Sequence, residues 1–127
     1  NLSTMCLDGR EIGKQKLEPF DVILLDAPCS GLGVLRHKPD IKAHLKPETL
    51  DELTQLQREL LNAVAPLTKL GGTLIYSTCT LNRKENELQV RNFLKDHPEY
   101  ECVEDRLILP YETDSDGFYM AKLRRLK

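Results

Sequence analysis

At 127 residues, with 40% apolar and 30% charged side chains, the chain is the size of one domain and has the balance of an ordinary globular protein. No apolar run approaches the roughly 18–20 residues of a membrane span, and the chain opens without a basic-then-apolar signal segment. The net charge of −2 excludes a strong nonspecific pull on nucleic acid, so any such binding must come from a local basic cluster.

Residues 2–7 read as a strand that runs into Asp8-Gly9-Arg10. A natural protein rarely opens in mid-strand, so the chain reads as a piece of something longer. Residues 13–19 form a polar connection with room for one helical turn. Next comes Asp21-Val22-Ile23-Leu24-Leu25-Asp26, followed by Ala27-Pro28-Cys29-Ser30-Gly31. The β-branched and apolar run predicts a buried strand of a parallel sheet, delivering a carboxylate and a thiol to the sheet's carboxyl edge. In open α/β sheets that edge is where ligands bind.

Beyond Gly31-Leu32-Gly33 lies a basic stretch, Arg36-His37-Lys38-Pro39-Asp40-Ile41-Lys42. Pro39 and Pro47 argue for loop or short turns there. From 48 to about 69, Leu50, Leu53, Leu56, Leu60, Leu61, Val64 and Leu67 recur at gaps of three and four, the stripe of one helix face. Pro66 shortens or bends the last turn. Gly71-Gly72 breaks the helix and launches a strand over 73–77, which ends in Thr78-Cys79-Thr80. Asn82 is a good helix N-cap with Glu85 three residues on, as in a capping box. Leu88, Val90, Phe93 and Leu94 give that helix its buried side, and Pro98 stops it. Residues 100–103 and 118–123 read as strands around a loop with an apolar Leu107-Ile108-Leu109 centre and an Asp116-Gly117 turn. Lacking a helical crossover, these two pair antiparallel at the sheet edge. The order is strand, strand, helix, strand, helix, strand, strand: an α/β sheet whose first part is missing.

The four cysteines, Cys6, Cys29, Cys79 and Cys102, include no CxxC pair. Without a secretory signal they read as reduced thiols of the cytosol, and their spacing is far from zinc patterns, so no metal site is expected. Cys6 and Cys102, in mid-strand, read as small buried hydrophobes. Cys29 and Cys79 each follow a strand and lie near basic residues, Arg36 to Lys42 for one and Arg83 and Lys84 for the other. Positive charge or a helix N-terminus lowers a thiol's pKa and makes it a nucleophile, so either fits an activated thiol, and either fits a buried one. Asp8 and Asp26, each just past an expected strand, suit hydrogen bonds to a nucleotide-like cofactor; the alternatives are that Asp8 starts a turn with Gly9 and Asp26 caps a helix or loop. Gly31-Leu32-Gly33 begins like a GxGxxG loop, but Arg36 stands where the last glycine belongs and the preceding strand is the wrong one. Its glycines serve the backbone beside Cys29.

Asp26-Ala27-Pro28-Cys29-Ser30-Gly31 and Tyr76-Ser77-Thr78-Cys79-Thr80 resemble two signature motifs of the Sun/Nop family of RNA cytosine-5 methyltransferases. So do Arg36 through Lys42, Glu85-Asn86-Glu87 and Asp116-Gly117-Phe118-Tyr119. The likeness covers essentially the whole chain and is closest to the family's bacterial 16S ribosomal RNA members of the Sun/Fmu type. It implies the C-terminal part of a Rossmann-like, S-adenosylmethionine-dependent methyltransferase sheet, with parallel strands and an antiparallel edge pair. Residues 1–127 would then be the C-terminal portion of one catalytic domain, with the glycine-rich cofactor loop, the ribose-holding acid and an N-terminal RNA-binding domain upstream of Asn1. The resemblance further implies methyl transfer to C5 of a cytosine in ribosomal RNA, 16S by the closest likeness, through a cysteine–C6 adduct. Cys79 would be the nucleophile, Cys29 would assist product release, and Asp8 and Asp26 would line the S-adenosylmethionine pocket. Flipping a cytosine into a pocket needs a grip on RNA phosphates, for which Arg36, Lys38 and Lys42 are the candidates beside a plain solvated loop. Ala43 stands where the family often has Trp, so no stacking is expected there. Without the upstream strands, 1–127 alone is expected not to methylate RNA. The non-enzyme alternative is an inactive RNA-binding or ribosome-associated module with the same fold.

Overall fold

The computed structural model describes residues 2–31, 46–110 and 116–127. A 3-10 helix, Gly9–Gln15, precedes strand β1 (Phe20–Asp26); helix α1 (Pro47–Val64) and a 3-10 turn (Ala65–Leu67) lead to β2 (Thr68–Thr78). Helix α2 (Glu87–Asp96) follows, then β3 (Tyr100–Ile108) and β4 (Phe118–Arg125). The sheet order is β1-β2-β4-β3. β1 and β2 run parallel, and β4 lies antiparallel to both β2 and β3. The α/β sheet with its antiparallel edge pair matches the sequence reading, with β4 inserted between β2 and β3.

Local chemistry accounts for the elements. Pro47 opens α1 at the first-turn position where its missing N–H costs nothing. Pro66 turns the end of the helix into the 3-10 segment, whose Ala65 carbonyl accepts from the Tyr100 hydroxyl at 2.6 Å. Of the apolar stripe of α1, Leu61 and Val64 join the core with Val90 and Phe93 of α2, while Leu60 packs on Gly9 of the first 3-10 helix. Both helices cover the face carrying Leu74 and Tyr76 of β2 and Tyr119, Ala121 and Leu123 of β4. Burying these side chains supplies about 1.5–3 kcal/mol each for the larger ones.

Several expectations change. Residues 2–7 form no strand, so Asp8 does not stand at a strand's end. β2 begins at Thr68 rather than after Gly72, and the glycines act inside it. The register slips between Phe20–Thr68 and Val22–Thr73, where Gly71 adopts a left-handed φ of 78°. A Cβ on Gly72 would sit 3.0 Å from the Asp21 carbonyl, so only glycine lets the strands approach. β3 takes in Leu107 and Ile108, assigned to a loop from the sequence, because β4 pairs with them through Tyr119 and Phe118. β1 is covered on one face only among the described residues: Ile23 and Leu25 point to the core, whereas Val22 and Leu24 are 60% and 65% exposed. Cys6 and Cys102 are exposed rather than buried, Cys6 because no strand forms around it and Cys102 because β3 is an edge strand. No helix of the described residues is long and apolar enough to cross a membrane.

Candidate active site

β1 ends at Asp26 and β2 at Thr78, and because the two are parallel neighbours, the chain leaves both at the same edge. The Ala27 N–H donates to the Ser77 carbonyl at 2.9 Å, prolonging the ladder one step past β1. Each chain then turns within three residues or fewer to a cysteine, Cys29 on one side and Cys79 on the other. Their sulfurs lie 3.0 Å apart, both as free thiols, and the Cys79 N–H donates to Cys29 Sγ at 3.3 Å. Gly31, with φ of 74°, makes the turn beyond Ser30, as a glycine in that region can without strain.

Behind the thiols lies a buried polar cluster. The Glu85 carboxylate accepts from the Ser30 N–H at 2.8 Å, Ser30 Oγ at 2.7 Å, Gln57 Nε2 at 3.0 Å, Asn82 Nδ2 at 2.8 Å and Thr80 Oγ1 at 3.3 Å. Gln57 Nε2 also donates to the Pro28 carbonyl at 2.9 Å, just ahead of Cys29. On the other side Thr78 Oγ1 donates to Asn86 Oδ1 at 2.5 Å, and Asn86 Nδ2 donates to the Thr80 carbonyl at 2.8 Å. The Tyr76 hydroxyl donates to the Glu85 carbonyl at 2.6 Å, and burial first, then the Glu85 charge, raises its pKa. A buried polar group without partners is costly, so a cluster this fully bonded holds its members in one arrangement.

Burial, the hydrogen bond with Cys29 and the nearby Cys29 and Asp26 charges push the Cys79 thiol up to about 12. The sequence leaves open either a buried thiol or one activated by a helix end and by Arg83 and Lys84. Helix α2 opens at Glu87 rather than near Asn82, and Arg83 pairs with Glu87. Asn86, not Asn82, is the N-cap, and its side chain is taken by Thr78 and Thr80. Glu85 makes no capping box, since its carboxylate turns inward to Ser30.

Asp26 lies exposed at the same edge, one carboxylate oxygen accepting from Ser77 Oγ at 3.0 Å. Asp8 is not brought to it by a strand. It caps the first 3-10 helix through the Arg10 N–H and forms a double hydrogen bond with the Arg10 guanidinium, which holds its carboxyl down at about 2. Arg36, Lys38 and Lys42 lie outside the described residues, as does Gly33. Tyr119 of the last motif is buried and donates to Asp105 at 2.8 Å, a packing role. The cluster behind the thiols was missed from the sequence. Two signals pointed to it: Glu85 and Asn86 stand in the Glu85-Asn86-Glu87 motif, and Gln57, which is fully buried, falls on the leucine face of α1, four residues from both Leu53 and Leu61. An apolar cleft of about 500 Å³ lined by Met5, Ile12, Phe20 and Val22 opens at the other end of β1, away from this chemistry.

The profile of the 16S rRNA methyltransferase RsmB/F family matches residues 1–124. The chain belongs to that family. It is 41% identical to the probable ribosomal RNA small subunit methyltransferase B of Bacillus subtilis (strain 168), covering 94% of this chain and 31% of that protein. To ribosomal RNA small subunit methyltransferase B of Yersinia enterocolitica it is 44% identical, covering 84% and 26%. Among solved structures, NSun6 from Pyrococcus horikoshii with SFG superposes with a TM-score of 0.87 at 28% identity, over all of this chain and 35% of that one. A methyltransferase homolog protein from Pyrococcus horikoshii gives 0.78 at 29%, over 93% and 43%. The chain thus spans between a quarter and a third of the two curated relatives' length.

Proposed function

We propose that residues 1–127 are the C-terminal portion of the catalytic domain of a cytoplasmic, S-adenosylmethionine-dependent methyltransferase that acts on C5 of a cytosine in small-subunit (16S) ribosomal RNA. The observation that carries this reading is the pair of thiols 3.0 Å apart beside Asp26, on one sheet edge of a chain in this family. Relatives named for ribosomal RNA small subunit methylation support the substrate class, and the NSun6 structure with SFG, an S-adenosylmethionine analogue, supports the cofactor.

The donor set fits that cofactor in part. Asp26 presents an exposed carboxylate on the open sheet face, aimed by Ser77, and suits an ammonium group. Asp8 could serve only by sharing or releasing Arg10. When bound, the cofactor supplies an electrophilic methyl on a sulfonium. Cytosine C5 is a poor nucleophile until the Cys79 thiolate adds to C6, forming an S–C6 bond and moving the C5–C6 π pair to C5. Cys79 would thereby hold the ring with an electron pair at C5, ready for the methyl that a cofactor held at Asp26 would supply. A base removes the C5 proton, the S–C6 bond breaks back onto Cys79, and the ring double bond is restored. Cys29, in contact with Cys79, assists that release. Arg36, Lys38 and Lys42 grip the RNA backbone.

The reverse assignment has one observation in its favour: the Cys79 thiol is pushed up to about 12, while Cys29 Sγ accepts the Cys79 N–H. Transfer of a labelled methyl from S-adenosylmethionine to unmodified small-subunit RNA, with the full-length protein, tests the activity. Its absence leaves the RNA-binding module as the better reading. In the same protein Cys79→Ser abolishes the covalent RNA adduct and Cys29→Ser lets it accumulate; the opposite pattern exchanges the two roles. Residues 1–127 alone are expected to transfer no methyl, and measurable transfer by them removes that element.

A further inference from the structure

We infer that Glu85 is the positioning residue that sets the spacing and orientation of the two thiols; the inference rests on reading Cys29 and Cys79 as the reactive pair. Its carboxylate touches neither sulfur. It binds the residue immediately after each cysteine, Ser30 through N–H and Oγ, and Thr80 through Oγ1. Ser30 Oγ and Thr80 Oγ1 lie 2.8 Å apart, so the two loops meet directly on this one side chain. Gln57 completes the hold on the first loop by bonding both Glu85 and the Pro28 carbonyl. Asn82 and the Tyr76 hydroxyl fix Glu85 itself. Both carboxylate oxygens accept, and an amide cannot reproduce that, because its NH2 would face donors. Glu85 is also fully buried, so water cannot stand in for it.

Two sulfurs already in contact need to close by only about 1 Å to reach the roughly 2.05 Å of a disulfide, so the ease of that bond reports their alignment. In glutathione buffers, one glutathione disulfide oxidises both thiols, forming the Cys29–Cys79 bond and releasing two glutathione thiols. In the full-length protein, Glu85→Gln should lower the effective concentration of the thiol pair at least tenfold. Glu85→Asp, which keeps both acceptor oxygens, should recover part of the loss. Cys29–Cys79 linkage is read by peptide mapping, and circular dichroism confirms that each variant is folded. Glu85→Gln should also lower kcat for methyl transfer while leaving the S-adenosylmethionine KM within about twofold.

A merely structural Glu85 would lower Tm and leave the thiol equilibrium of the folded protein unchanged. An effective concentration within twofold of wild type therefore overturns the inference. If Glu85→Gln does not fold, Ser30→Ala and Thr80→Val each remove one arm of the clamp. A threefold loss in either supports it, and no loss in both overturns it. The thiol equilibrium needs no RNA. A normal shift in a protein that transfers no methyl would sink the proposed activity and spare the clamp; an unshifted equilibrium in an active enzyme would do the reverse.

Discussion

The two ends of β1 meet opposite surroundings although they belong to one seven-residue strand. At its C-terminal end, Ala27 is tied to Ser77, Pro28 to Gln57 and Ser30 to Glu85, in a hydrogen-bonded shell that is buried except at Pro28. At its N-terminal end Phe20 and Val22 line an apolar cleft open to solvent. The difference separates two ways of using a strand. One end has polar groups whose partners come from distant parts of the chain and fix geometry; the other has apolar surface that contributes little until something covers it.

The largest expected effect probes the closed end. Asn86→Ala strands Thr78 Oγ1 and the Thr80 carbonyl, both deprived of their partner beside Cys79. Buried groups left unsatisfied cost about 1–3 kcal/mol, which urea denaturation of the chain should register. A loss under about 0.5 kcal/mol would mean that water replaces Asn86, and the closed end would not be closed. A much smaller effect is expected at the open end. Val22→Thr conserves shape and β propensity at a site 60% exposed, so stability should stay within about 0.5 kcal/mol. A larger loss would show that the Val22 face is covered in solution.

What was legible in the sequence follows the same division. The leucine stripe of α1, the two strand ends and the two cysteine motifs were all readable, because spacing and residue type alone express them. Glu85 was readable as a capping-box partner of Asn82 and as part of the Glu85-Asn86-Glu87 motif, but not as the centre of the cluster, since its partners Ser30 and Gln57 lie 55 and 28 residues away. Gln57 looked like an ordinary polar residue unless its place on the leucine face was noticed. The start of β2 was misread because glycine pairs usually break structure, whereas here one glycine takes a left-handed φ and the next admits the backbone of β1. Residues 2–7 have strand-like composition, but a strand needs a neighbour to bond, and composition does not supply one.

The smallest expected effect lies at the wall of the open cleft and appears only with pH. Asp8 caps the 3-10 helix whose Gly9 packs so closely on α1 that a Cβ there would fall 2.7 Å from Leu60 Cδ2. Arg10 bonds Asp8 and reaches across to Glu59 of α1 at 3.0 Å. This chain of charges pins one wall of the cleft to the helix. The Arg10 hydrogen bonds hold the Asp8 carboxyl at about 2, against an ordinary 3.8, so the folded state favours its charged form. The resulting stability is present above pH 4 and is lost as pH falls toward 2. Glu59, lowered by the same guanidinium, contributes with the same sign. Asp8→Asn should therefore flatten the fall in stability between pH 4 and 2 without removing it. Because Asp8 and Arg10 are both solvent-exposed, the difference between variant and wild type should shrink in 1 M salt. A wild-type profile already flat over that range would mean that the Arg10 bridge does not persist in water. The cleft wall would then be held by Gly9 against Leu60 alone, making the open end of β1 looser still than its closed one.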